Sequence, residues 1–137
     1  MALAEATPVP VLPEVSFGTG LAGFPAAKRF ALVRWGDDPT TYFSVLHCLD
    51  VDDLEFVVVP PNLFFPDYAP EVDDVTVASL ELEDAADALV LSIVTVGATP
   101  EECTANLLGP IVVNLKTLAA AQAVVPGERW GARVPLG

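Results

Sequence analysis

The sequence is poor in bases, has a single histidine and carries none of the common catalytic or nucleotide-binding motifs. Six Lys and Arg stand against nineteen Asp and Glu in 137 residues, a formal net charge of −13. Such a surface repels phosphate backbones, which argues against a free-standing nucleic-acid binder and against docking on an anionic membrane. Long apolar runs are missing too. The uncharged run Ala88 to Pro100 has 13 residues, against roughly 20 for a membrane-spanning helix. The first sixteen residues lack the basic start of a secretory signal and hold Pro8, Pro10, Pro13, Glu5 and Glu14; a cytoplasmic protein is expected. Cys48 and Cys103 lie far apart with no Cys-x-x-Cys, which predicts reduced core thiols in that compartment.

The chemistry needed for catalysis is equally sparse. His47 sits between Leu46 and Cys48 in an apolar segment, where a structural histidine is expected. One His and two Cys fall short of the four ligands of a zinc site. The acids Asp50, Asp52, Asp53 and Glu55 resemble a calcium loop only superficially, because the glycine and terminal glutamate of that loop are missing. Phosphate-cradling and nucleophile-elbow glycine patterns are absent as well. No enzyme, cofactor or metal is implied.

What the sequence has is a core. Hydrophobic residues make up 53% and charged residues 18%, and mean hydropathy is +0.51. One domain of ordinary size follows, with residues 1–13 as a flexible Pro-rich arm and residues 14–137 as the domain. Short β-branched and aromatic segments alternate with turn residues: 15–17, 21–24, 30–35, 42–49, 54–59, 89–96, 111–115 and 122–125. Residues 118–121 join the last two. One helical turn is expected at 26–30, a short helix or strand at 72–82, and a helical turn or loop at 84–88. Turns are expected at Asp37-Asp38-Pro39 and Pro126-Gly127. The pattern predicts an all-β fold: a small antiparallel β-barrel or sandwich-like domain with one or two short helical segments. Phe24, Phe56, Val58, Leu91, Ile93, Ile111 and Val113 are the expected core.

Charge is distributed unevenly. No Lys or Arg occurs between Trp35 and Leu115, and sixteen acids lie from Asp37 to Glu102. Two readings follow, a solvated face that keeps a monomer soluble or an electrostatic guide for a basic partner. Within this window Asn62-Leu63-Phe64-Phe65-Pro66-Asp67-Tyr68 concentrates three aromatics between prolines. In a strand Phe64 and Phe65 could not share a face, so either a ring is exposed beside acids, as protein interfaces use, or the loop folds over and buries both. Phe65, Tyr68, Glu71, Asp73 and Asp74 are the candidate partner-binding residues. Asn106 joins them, with a second reading that it and Asn114 satisfy backbone groups around Pro110.

Four stretches carry a family resemblance: Phe17-Gly18 through Gly23-Phe24-Pro25 to Arg29-Phe30-Ala31-Leu32; Leu49-Asp50 to Phe56-Val57-Val58-Val59 and Pro61; Phe65-Pro66-Asp67-Tyr68; and Thr104-Ala105-Asn106-Leu107-Leu108-Gly109-Pro110-Ile111-Val112-Val113-Asn114 with Ala121-Gln122. In this order and spacing the chain resembles the flagellar assembly factor FliW family from about Val15 onward. It departs at Pro60, where an acid is common, and at Gly109, where alanine is usual. The resemblance implies a non-enzymatic cytoplasmic protein that binds flagellin and the RNA-binding translational regulator CsrA, and so couples flagellin synthesis to export by partner exchange. Two other readings are a β-barrel enzyme with paired carboxylates and a structural subunit that self-assembles through the Phe64–Tyr68 loop.

Overall fold

The computed structural model describes residues 9–18, 20–21, 23–34, 43–99, 102–125 and 130–136. Nine strands are formed: β1 Leu12–Phe17, β2 Arg29–Arg34, β3 Ser44–Cys48, β4 Glu55–Val59, β5 Ala88–Thr95, β6 Thr104–Ala105, β7 Ile111–Asn114, β8 Ala119–Gln122 and β9 Val134–Pro135. One short helix, α1, spans Asp74–Ser79, and 3-10 turns occur at Pro61–Leu63 and Ala85–Asp87. The expected turns at 37–39 and 126–127 lie outside the described residues.

Alternation sets which side chains face inward, and the strand pairings close the sheet. Along β2, Phe30 and Leu32 point one way, and their partners Cys48 and Leu46 on β3 point the same way. β4 continues the row with Phe56 and Val58. β4 then pairs with the second half of β5, whose first half pairs with β7. β7 pairs with β8, and β8 returns to β1. Seven strands thus close into a barrel, which removes the unpaired edges of an open sheet. β6 and β9 extend from the far end of β5. The barrel alternative of the sequence reading is the one realised.

The interior is filled by Val15, Phe17, Phe30, Leu32, Leu46, Val58, Leu89, Leu91, Ile111 and Val113, with Cys48 and Ala120 among them. Phe17 and Phe30 meet edge to face at 5.2 Å. Of the expected core, Val58, Leu91, Ile111 and Val113 are fully buried, and Phe56 and Ile93 pack partly buried against them. Cys48 and Cys103 are buried, unpaired thiols. Two further apolar clusters lie outside the barrel wall, one around Tyr68, Leu82, Val90 and Val112, the other around Val59, Val94 and Cys103.

Several expectations are corrected. β1 starts at Leu12, so Leu12 and Pro13 are strand rather than arm. The pairing of β1 with β8 is parallel, through Ser16↔Ala119 and Phe17↔Ala120, in an otherwise antiparallel barrel. β8 occupies 119–122, the stretch read as a connection, because its alanines fit close against β1 and β7 without bulky β-branched side chains. No helical turn forms at 26–30: a turn ends at residue 26, and residues 29–30 already belong to β2. Phe24 is 42% exposed rather than core. Its backbone N–H closes on Leu21 O at 2.8 Å, and this tight turn leaves the ring resting edge-on upon Phe56, 5.6 Å away.

α1 ends where its geometry demands a left-handed residue. Glu81 has φ 54°, its N–H donates to Ala78 O, and the Leu82 N–H donates to Val77 O. That pair of bonds is the glycine-favouring helix stop. A non-glycine residue costs about 1–2 kcal/mol in this conformation. Glu81→Gly is therefore expected to raise the unfolding free energy by about 1 kcal/mol, read from the urea midpoint with an unchanged denaturant slope.

Candidate partner-binding surface

The aromatic loop folds by turning rather than by extending. Pro60 and Pro61 end β4 and start a 3-10 turn at Pro61–Leu63. Phe64 and Phe65 follow this turn and point toward different clusters. Phe64 packs with Val59, Val94 and Cys103. Phe65 packs in the cluster of Tyr68. Both rings are packed but only half-buried, so the loop folds over its aromatics without burying either completely.

Tyr68 is the keystone of that fold-over. Its side chain is fully buried. Its hydroxyl donates to Leu107 O at 2.6 Å, and Asn62 Nδ2 donates to its carbonyl at 2.6 Å. Trp130 lies edge-on to Tyr68 at 5.2 Å and to Phe65 at 6.2 Å. Burial pushes the Tyr68 hydroxyl well above the ordinary phenol range. Of the two roles open to Tyr68, interface anchor or buried hydrogen bond, the structure shows the second: the candidate anchor is corrected to a buried strut that ties the loop to the chain near Leu107.

The acids of the candidate set face outward. Asp73 is the N-cap of α1; its carboxylate accepts from Thr76 N at 3.1 Å and from Thr76 Oγ1 at 2.7 Å. These bonds, the Thr76 hydroxyl first, hold the Asp73 carboxyl below the ordinary range. Asp74 lies in the first turn, where a negative charge suits the helix. Glu71, Asp73 and Asp74 are exposed, and so is Val75, at 78%. Val75 is missed by sequence reasoning, since a lone valine in a helical turn carries no signal of its direction. Asn106 takes the second of its two readings, satisfying backbone groups next to Pro110: its Oδ1 accepts from Leu108 N and Gly109 N, both at 3.0 Å. Asn114 does not serve Pro110. It is buried, and its Nδ2 donates to Leu80 O at 2.8 Å. At Gly109 a Cβ would lie 2.8 Å from Gln122 Nε2, which instead donates to Gly109 O at 3.0 Å.

Arg29 and Asp50 form a second organised region, at the entry to β2. Asp50 accepts from Lys28 N at 3.1 Å, Arg29 N at 2.8 Å and Arg29 Nε at 2.8 Å. The Arg29 guanidinium hydrogen bond leads in holding the Asp50 carboxyl below its usual range. His47 pairs across strands with Glu55 at 3.1 Å on the exposed outer face. Among the described residues no cluster of three His, Cys, Asp or Glu is placed to hold a metal ion. No described helix is long and apolar enough to cross a membrane.

Fold and surface define a small closed β-barrel whose organised polar and aromatic features lie on its outer wall and end loops. The chain belongs to the FliW protein family, whose profile matches residues 5–136. It is 36% identical over 123 residues to the flagellar assembly factor FliW of Bacillus licheniformis, covering 90% of this chain and 85% of that one. With the flagellar assembly factor FliW of Treponema pallidum it shares 37% identity over 116 residues, 85% of this chain and 75% of the relative. A crystal structure of the flagellar assembly factor FliW superposes with a TM-score of 0.83 at 27% identity, covering 99% of this chain and 95% of that one.

Proposed function

We propose that this protein acts in flagellar assembly as a non-enzymatic binder: it holds flagellin in the cytoplasm and antagonises a CsrA-type translational regulator, so that export of flagellin releases it to relieve repression. The observation that carries this reading is the FliW family match over residues 5–136. The net charge of −13 supports it, because a regulator that binds RNA presents basic surface. Partner exchange then needs only that the two partners compete for one free pool of this protein.

The other readings lose their footing. Among the described residues, the carboxyls displaced from their ordinary range, Asp50 and Asp73, are both displaced downward and both lie at the exposed surface, whereas a general acid needs its carboxyl raised. Self-assembly through Phe64–Tyr68 loses its anchors, since Tyr68 is buried and both phenylalanines are packed.

Calorimetric titration with flagellin, then with the regulator, tests the proposal. Displacement of one partner by the other is the expected result, and no heat with either overturns it. A kinetic prediction accompanies it. If the acids steer the regulator, its association rate falls by about tenfold between low and physiological ionic strength while dissociation changes little. A rate indifferent to salt in stopped flow would remove steering from the mechanism.

A further inference from the structure

A groove of about 470 Å³ opens between the end of α1 and the turn from β7 to β8. Its apolar side is Val77, Ala78 and Leu82, and its acids are Glu81, Glu83 and Asp87. Lys116 is the one base that lines it. That lysine is committed to Asp87, 3.3 Å away. Among the described residues neither Glu81 nor Glu83 forms an ion pair. Both follow the C-terminal turn of α1, which has no basic residue of its own. The carbonyl end of a helix favours cations, so two acids there are left for charge from outside. The chain has no Lys or Arg between Trp35 and Leu115 to supply it.

We propose that this groove receives a basic amphipathic segment of a protein partner. Its apolar side chains lie against Val77, Ala78 and Leu82, and its Lys or Arg side chains lie beside Glu81 and Glu83. Charge complementarity selects this occupant. A second copy of a chain with net charge −13 and a nucleic acid would both bring more negative charge to the same rim. The inference deepens the reading of the chain as a partner-binding protein and rests on it. It moves the contact from the aromatic loop, where Tyr68 is buried and both phenylalanines are packed, to the C-terminal end of α1.

The test is an NMR titration of the isotope-labelled full chain with a synthetic Leu–Lys amphipathic peptide and, separately, with its Leu–Glu counterpart. The expected result is saturable shifts of the Val77, Ala78, Leu82 and Thr117 amides with the lysine peptide alone. Glu81→Lys with Glu83→Lys should weaken it by about tenfold or more, and Asp52→Lys with Glu55→Lys, an equal charge change elsewhere, by less than about threefold. Ala78→Trp, at an exposed position on the groove wall, should abolish binding without altering charge. Equal weakening by both charge pairs, undiminished binding to Ala78→Trp, or shifts centred on 50–55 would overturn the groove. Flagellin and the regulator are titrated into the same variants. Peptide in the groove with neither partner bound overturns the functional reading and leaves the groove standing. Partners bound with the peptide scattered overturns the groove alone.

Discussion

Tyr68→Ala is expected to lower the unfolding free energy by about 3–5 kcal/mol, as large aromatic truncations in well-packed sites do. The side chain is fully buried. Its removal opens a cavity against Trp130 and strands Leu107 O, to which the hydroxyl donates at 2.6 Å. Tyr68→Phe keeps the ring and removes only the donor, so about 1–3 kcal/mol is expected for the buried carbonyl left unpaired. The two variants separate packing from hydrogen bonding by urea unfolding. A third readout follows from burial, which raises the hydroxyl above the ordinary phenol range. In the unfolded chain the hydroxyl ionises near about pH 10, while the folded chain keeps its proton. The Tyr68 contribution is therefore complete below about pH 10 and is lost as pH rises from there through the folded value. Tyr68→Phe should flatten this alkaline decline. Equal stability of Tyr68→Ala and the wild type would place the ring outside the core. Partner binding by a still-folded Tyr68→Phe should be unchanged, because the hydroxyl supports the surface without reaching it.

Tyr68 also marks where the sequence stops being legible. Its hydroxyl acceptor, Leu107 O, lies 39 positions away in the chain, and no local pattern announces such a bond. A tyrosine beside acids reads equally well as anchor or as strut. The barrel wall was legible because period-two alternation is local: Val58, Leu91, Ile111 and Val113 follow from it and are fully buried. The closure was not legible. β8 is Ala-Ala-Ala-Gln, a run without strand propensity, and only its position between β7 and β1 makes it a strand. Phe24 misleads for the opposite reason. It is a strong core former held in a turn with Gly20 at φ 79° and Gly23 at φ 84°, and the turn turns it outward. The N-cap role of Asp73 was readable in principle, since an acid three residues before Thr76 and ahead of a short apolar run is a helix-start signal. The groove was not, because its two walls come from α1 and from the β7–β8 turn, which only the fold brings together.

What brings those walls together is Asn114, and Asn114→Leu is expected to cost about 3 kcal/mol despite its similar size. The side chain is buried at the end of β7. Its Nδ2 donates to Leu80 O at 2.8 Å and to Glu81 O at 3.4 Å, and its Oδ1 accepts from Lys116 N at 2.9 Å. One carboxamide thus satisfies the carbonyl end of α1 and fixes the turn that carries Lys116. Leucine fills the volume and leaves those backbone groups without a partner, at about 1–3 kcal/mol for each one buried. The loss should be local before it is global: amides of 77–82 should exchange faster in hydrogen exchange while those of the barrel strands hold. Asn114→Asp sharpens the argument. An ionised carboxyl accepts but cannot donate, so it opposes Leu80 O directly, whereas its protonated form regains one donor. Burial raises that carboxyl above its unfolded value. Its contribution is then complete below the ordinary carboxylate range and is lost as pH rises through the folded value, so the variant should recover part of its stability on acidification. Asn114→Leu, which has no titrating group there, should show no such recovery. If both variants matched the wild type, the end of α1 would be held by packing of Val77 and Leu82 alone, and the groove would owe its shape to apolar contact rather than to this asparagine.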